Sequence, residues 1–213
     1  MQKLRRARTL RTKRALDIVG AASALVALGP LIGVVAGLVA LKLGRPVLFR
    51  QDRPGLHGRT FTILKFRTML EVDHASGRVD DADRLTTFGR FLRSTSLDEL
   101  PSLWNILRGD MSFVGPRPSL CRYLDLYTAE ESRRHDVLPG LTGLAQVRGR
   151  NELPWPDRLR SDVEYVDRLS LGLDARILLR TVLVVIRREG INAPGHASSD
   201  VFHGTAAMSG GSR

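Results

Sequence analysis

The stretch RSTSLDELPSLWNILRGDMSFVGPRP, residues 93 to 118, holds the most reactive combination in the chain: adjacent carboxylates, Asp98 and Glu99, among Arg93, Arg108 and Arg117. Paired acids amid basic residues can hold a hard divalent cation together with a phosphorylated substrate. The same letters also have a structural use. Ser96 with Glu99 three residues on matches the capping box of a helix start, although the ring of Pro101 would then meet the carbonyl of Leu97. In GPRP, Arg117 stands between two prolines and has little backbone freedom to lose. Its fork suits a phosphate or diphosphate, and equally an arginine in a rigid surface loop. Downstream, RHDVLPGLTGLAQVRGRNELPW carries three glycines with Arg148 and Arg150, a loop whose amides and guanidiniums could meet an anion. There is no Walker loop, G-x-G-x-x-G, paired C-x-x-C, H-E-x-x-H or G-x-S-x-G.

The elements that must position these residues follow from periodicity. Residues 46 to 69 predict a β-hairpin: PVLFRQ, a turn through Pro54-Gly55 and Gly58, then RTFTILKFRTM, with Lys65 and Arg67 on one face of the second strand. Residues 71 to 84 are acidic and polar, as in a surface loop, and a helix is expected from near Leu85. Leu159, Val163, Val166 and Leu169 recur at helical spacing and predict an amphipathic helix. RILLRTVLVVI, 176 to 186, is too short to span a bilayer and suits the membrane interface or the core, with Gly190 as a stop. The last twenty residues are small and polar, as in a flexible tail.

At 213 residues there is room for one domain plus an anchor. That anchor is Ile18 to Leu41, which has no charged side chain and is long enough to cross about 30 Å of hydrocarbon. A cleaved signal peptide would have a shorter apolar region. Seven Lys and Arg fall in the first fourteen residues, and Lys42, Arg45, Arg50 and Arg53 follow the segment. The positive-inside bias therefore draws both ends to one side. Pro30, after Gly29, lacks a donor and crowds the carbonyl of Val26, favouring a break. A helix-break-helix dipping into one leaflet is thus expected slightly ahead of a kinked span. Gly29, Gly33 and Gly37 also leave a helix-pairing face and a homodimer open. The net charge of +11 predicts an anionic partner: nucleic acid, anionic lipid or phosphorylated substrate. The few aromatic residues, 6%, argue against a platform for stacking single-stranded nucleic acid. The single cysteine, Cys121, allows no internal disulfide.

Taken together, KRALDIV, RPVLFRQDRPG, FTILKFRTM, SLDELPSLWNILRGDMSFVGPRP and LPGLTGLAQVRGRN resemble, in this order, the motifs of the monotopic phosphoglycosyl transferases, a bacterial sugar transferase family. The likeness runs from about Lys13 to Gly204. It implies an α+β protein with a re-entrant N-terminal helix, a small hairpin or sheet, and amphipathic surface helices. The expected divisions are a basic N-terminus, 1–14, an anchor, 15–44, a catalytic domain, 45–190, and a tail, 191–213. The resemblance further implies transfer of a sugar 1-phosphate from a UDP-sugar to polyprenyl phosphate with Mg²⁺ and release of UMP. This would take place at the cytoplasmic face of the bacterial inner membrane, among the lipids of that leaflet and without nucleic acid. By the same resemblance Asp98 is the nucleophile and Glu99 its metal-binding or proton-handling neighbour. Lys65, Arg93, Arg117 and Arg150 face the phosphates or the nucleotide. The compact length and the GRN-x-x-x-W spacing look like the small branch using a UDP-diacetylbacillosamine donor. Three positions depart from the family pattern: Gly29 where Ser is common, Ser102 where Gln is common, and Leu144 where Trp is common. The last two are expected to alter sugar or nucleotide contacts. The non-enzymatic alternative is a basic membrane-surface scaffold or polyanion binder, for which charge alone would suffice.

Overall fold

The structure is a computed structural model that describes residues 2–74, 77, 79–149, 153–187 and 201–205. Its elements in chain order are helix α1 (Gln2–Leu43), strands β1 (Leu48–Pro54) and β2 (Thr60–Phe66), helices α2 (Asp81–Arg84), α3 (Thr87–Ser94) and α4 (Ser102–Arg108), strand β3 (Ser112–Val114), helix α5 (Ala129–Ser132), strand β4 (Gly140–Thr142), and helices α6 (Leu144–Arg148), α7 (Trp155–Asp167) and α8 (Leu171–Arg187). The architecture is α+β, with a long apolar N-terminal helix and two small two-stranded sheets.

The expected break at Gly29-Pro30 does not interrupt α1, which runs as one helix with Pro30 inside it. Both Pro30 and Val26, whose carbonyl the proline ring would crowd, lie on the exposed side. A proline there costs one hydrogen bond and favours curvature convex toward the surroundings, around the body. The opposite stripe, Lys13, Asp17, Ala21, Val35, Val39 and Leu43, is buried. This i, i+4 spacing lays one side of α1 along the body for about 45 Å.

The charged residues of KRALD are used in that docking. Lys13 Nζ meets Asp174 Oδ2 of α8 at 2.6 Å, and Asp17 Oδ1 accepts the Phe113 amide at 3.1 Å. Arg14 donates to the carbonyls of Ile106 and Leu107 at 2.6 and 2.9 Å. A guanidinium at the end of α4 both satisfies orphan carbonyls and suits the helix dipole.

The hairpin forms as the pattern predicts, with Phe49 opposite Lys65 and Leu48 opposite Phe66. The other edge of β2 is covered by α4 through side chains. Asn105 accepts the Leu64 amide at 3.0 Å on Oδ1 and donates to Thr62 O at 2.8 Å, while Ser102 Oγ donates to Leu64 O at 2.7 Å. An asparagine and a serine thus stand in for a missing strand, and their burial leaves no edge to pair elsewhere.

Strands β3 and β4 pair in parallel, Ser112 opposite Gly140 and Val114 opposite Thr142. Their backbones come so close that a Cβ on Gly140 would lie 2.1 Å from the Gly115 nitrogen, and one on Gly115 would lie 2.4 Å from Leu138 O. Hence the glycines of PGLTG serve strand contact. Arg148 turns to Glu164, at 2.5 and 2.9 Å. Around Tyr123, Trp155 and Leu159 a small core also takes in Phe202 from the C-terminal stretch.

Candidate active site

Three segments converge on the paired carboxylates. Helix α3 begins at Thr86, whose Oγ1 accepts the Gly89 amide at 3.0 Å, and presses on the chain leaving β2. A Cβ at Gly89 would lie 1.8 Å from Thr68 O. In its last turn Arg93 Nε donates to Thr68 Oγ1 at 3.0 Å. The chain then turns through Ser96 in the left-handed region, φ 57°, and enters a 3₁₀ turn at Leu97–Glu99. A left-handed non-glycine residue costs about 1–2 kcal/mol, and here it lies two positions before Asp98. The capping-box alternative is thereby overturned: Ser96 makes no side-chain cap, and the Glu99 carboxylate points elsewhere.

Glu99 Oε1 accepts both Lys65 Nζ, at 2.6 Å, and an Arg117 terminal nitrogen, at 2.8 Å. The α4–β2 lock positions the first of these, because it fixes the strand carrying Lys65 beside the turn carrying Glu99. Arg117 comes from the GPRP loop, whose backbone is tied down on both sides. Gly115 N donates to Thr142 O and Gly140 N to Pro116 O, each at 2.9 Å. On the other side, Arg134 donates to Arg117 O at 2.7 Å and to Ser119 Oγ at 2.6 Å, and Arg53 donates to Pro118 O at 3.4 Å.

The two acids are made unequal. Burial raises the Asp98 pKa from 3.8 to about 6, helped by the negative charge of Glu99 and opposed by Lys65, Arg117 and Arg93 through space. Burial alone would raise Glu99 as well, but Arg117 and Lys65, by charge and hydrogen bond, hold it well below the carboxylate range. Burial lowers the Lys65 ammonium, and Glu99 raises the Arg117 guanidinium. Two neighbouring carboxylates pushed apart in this way are suited to different tasks, one a fixed anion and the other a group available for chemistry.

Of the residues singled out by sequence, Lys65, Glu99 and Arg117 are in direct contact. Asp98 and Arg93 share their electrostatic field, and Arg150 lies outside the described residues. Arg108 instead pairs with Asp110 at 3.5 Å. Of the departures from the family pattern, Ser102 donates to Leu64 O, and Leu144 is buried in a core with Val114, Tyr165 and Ile177. Sequence reasoning missed Arg134, Arg53 and Asn105. Arg53 and Asn105 stand inside the recognised motifs and Arg134 four residues before the last of them, but the partners that define their roles are distant in the chain.

The family model for bacterial sugar transferases matches residues 8–188. The chain is 46% identical over 198 residues to a Bacillus subtilis protein named as the uncharacterized sugar transferase EpsL, covering 92% of this chain and 98% of that one. It is also 46% identical over 183 residues to a UDP-glucose:undecaprenyl-phosphate glucose-1-phosphate transferase of Caulobacter vibrioides, covering 80% of this chain and 68% of the relative. A UDP-galactose-lipid carrier transferase of Erwinia amylovora is 39% identical over 196 residues, 84% of this chain and 41% of that protein. A match that takes in nearly every element, from the docked helix through the acid pair to α8, places the chain in the bacterial sugar transferase family.

Proposed function

We propose that this protein transfers a sugar 1-phosphate from a UDP-sugar to undecaprenyl phosphate at the cytoplasmic membrane face, with Asp98 as the nucleophile. The observation that carries this reading is the unequal acid pair. Glu99 is committed to Lys65 and Arg117, while Asp98 beside it is buried and uncommitted. In the proposed sequence the Asp98 carboxylate attacks the phosphorus bearing the sugar. The bond from that phosphorus to the bridging oxygen breaks, and UMP leaves with the electron pair. The acyl phosphate is then attacked by the lipid phosphate, giving the lipid diphosphosugar and restoring the carboxylate. One anhydride replaces another, so positioning and charge neutralisation are the work required. Lys65, Arg93 and Arg117 supply cations for that work, and Arg150 is proposed to join them.

Among the described residues no group of three or more His, Cys, Asp and Glu side chains comes together. That fits a Mg²⁺ ion, which is commonly held by one or two carboxylates plus water and substrate phosphates. Asp98 and the free oxygen of Glu99 are the residues that would hold it. When bound, it would screen the phosphates from an approaching carboxylate.

The position of the site supports a monotopic arrangement. Helix α1 is long and apolar enough to cross a membrane, yet its inner stripe lies on the body from Lys13 to Leu43. A helix held that way cannot stand along the bilayer normal unless the body enters hydrocarbon too. Lying in one leaflet, it would leave Asp98 at the surface, only Leu97 and Leu100 away from α1.

Purified protein with Mg²⁺, undecaprenyl phosphate and UDP-glucose, UDP-galactose or UDP-diacetylbacillosamine is expected to release UMP with one donor. Without the lipid, intact mass spectrometry should show a sugar-phosphate adduct, absent in Asp98→Asn. Undiminished turnover by Asp98→Asn would refute the nucleophile. Salt-sensitive polyanion binding, indifferent to both acids and unaccompanied by UMP release, would favour a basic scaffold.

A further inference from the structure

Arg134 is an uncommon side chain to find in a core: its side chain and that of Asp162 are each only 4% exposed. Asp162 on α7 accepts both Nε, at 3.1 Å, and a terminal nitrogen, at 2.6 Å, on the same oxygen. Its other oxygen is buried without a partner. A buried ion pair with an orphaned acceptor is poor value as a source of stability, since apolar side chains of similar volume often serve as well. What an apolar pair cannot supply is the rest of the fork. The remaining donors of Arg134 reach Ser119 Oγ at 2.6 Å, Tyr127 OH at 2.9 Å and the carbonyl of Arg117 at 2.7 Å.

We propose that Arg134 is a positioning residue. Oriented by Asp162, it clamps the backbone of the Pro116–Ser119 loop, so that the Arg117 guanidinium is held on Glu99 and over the phosphate site. Arg117 lies between two prolines and, on the side toward β4, Pro116 O accepts the Gly140 amide. Fixing its carbonyl therefore removes the last large freedom of the loop and sets the direction of its Cα–Cβ bond. A lysine cannot do this, because an ammonium has no planar fork to reach a carboxylate on one edge and a carbonyl on the other. Small misplacements of a positioned cation are costly, on the order of 10²-fold for about 1 Å.

The kinetic test of this clamp rests on the phosphoglycosyl transfer proposed above, and a second readout does not. The variants are Arg134→Lys, Asp162→Asn, Arg117→Gln and the double Arg117→Gln/Arg134→Lys, assayed for the kcat and KM of UMP release. The expected result for Arg134→Lys is a fall in kcat/KM of about tenfold or more, divided between kcat and KM as in Arg117→Gln, because the cation that meets the phosphates has left its place. The double variant should be no worse than Arg117→Gln alone. Independently of turnover, hydrogen exchange of the peptide covering Val114 to Leu120 should quicken in Arg134→Lys and Asp162→Asn while the α4 peptide is unchanged. If Arg134→Lys does not fold, Asp162→Asn is read for the same quantities. Multiplying losses in the double variant, or a folded Arg134→Lys with undiminished kcat/KM and slow loop exchange, would overturn the clamp. Wild-type protein that releases no UMP from any donor would overturn the transfer reaction instead, and the exchange result would then decide the clamp alone.

Discussion

A nucleophile that is easy to bury is hard to ionise, and Asp98 meets this conflict directly. Burial and the charge of Glu99 push its carboxyl up to about 6, while the attack requires the carboxylate. The kcat/KM for UMP release should therefore fall on the acid side with a midpoint near pH 6, and Lys65→Met should move that midpoint upward by removing a favourable charge. The linkage to stability has a definite sign. Between the unfolded value, about 3.9, and about 6 the folded chain binds a proton that the unfolded chain does not. Stability contributed by this group is full below the unfolded value and is lost as pH rises through about 6. Asp98→Asn should consequently be inactive yet more stable at pH 7.5, by up to about 3 kcal/mol, with the gain vanishing below about pH 4. Melting curves at the two pH values check it, and an unstabilised mutant at pH 7.5 would contradict the raised pKa. Glu99 has the opposite sign: held low by Arg117 and Lys65 against burial, it adds stability above its unfolded value and loses it as pH falls. Spacing and resemblance were enough to pick Asp98, Glu99, Lys65 and Arg117 from the sequence. Which acid would take both cations was not legible, because that depends on the left-handed turn at Ser96 and on a strand more than thirty residues upstream.

At the scale of elements, α1 is joined to the body by side chains that sequence alone assigns to membrane flanks. Of the basic residues before the apolar run, Lys13 and Arg14 are engaged with Asp174 and with α4. Asp174 also accepts the Tyr165 hydroxyl at 2.8 Å, and the same hydroxyl contacts Val114 O at 3.0 Å. Helix α1, helix α8 and strand β3 therefore meet in one buried polar knot. Lys13→Ala should cost about 3–5 kcal/mol by stranding the Asp174 charge. Lys13→Met combined with Asp174→Asn should recover most of that loss, since an amide oxygen still accepts from Tyr165. Melting temperatures in detergent decide between the two, and a double variant as unstable as the single would show the knot to be more than charge balance. The hairpin, α7 and the apolar run of α8 were all legible as period-two or helical patterns. The pairing of β3 with β4 was not, because three-residue strands carry no period and their contact is made by glycine backbones, which read as loop.

For the molecule as a whole, the decisive asymmetry is between the two sides of α1. Val26 is 82% exposed and Leu41 84%, whereas Val39 is fully buried, although all three are ordinary apolar residues in one uniform run. Leu179 and Val182 leave a further apolar surface open on α8, 69% and 57% exposed. Hydropathy cannot separate these sides, since it marks the run from Ile18 to Leu41 as spanning material without saying which half of its circumference is already occupied. If the outer side rests in one leaflet, a single charge there should weaken membrane attachment and spare the fold. Val26→Glu and Leu179→Glu should lower the fraction of protein that sediments with membranes, while the melting temperature in detergent stays the same. Val39→Glu, which buries an unpaired carboxylate against Phe66 and Leu92, should instead abolish folding. Sidedness is read separately, with Cys121→Ser as background and single cysteines at Leu4 and Arg59. Both cysteines should react with an impermeant maleimide only after the cytoplasmic side is opened. Labelling of Leu4→Cys from the opposite side to Arg59→Cys would mean that α1 crosses the bilayer, and the helix would then have to leave the body it is packed against here.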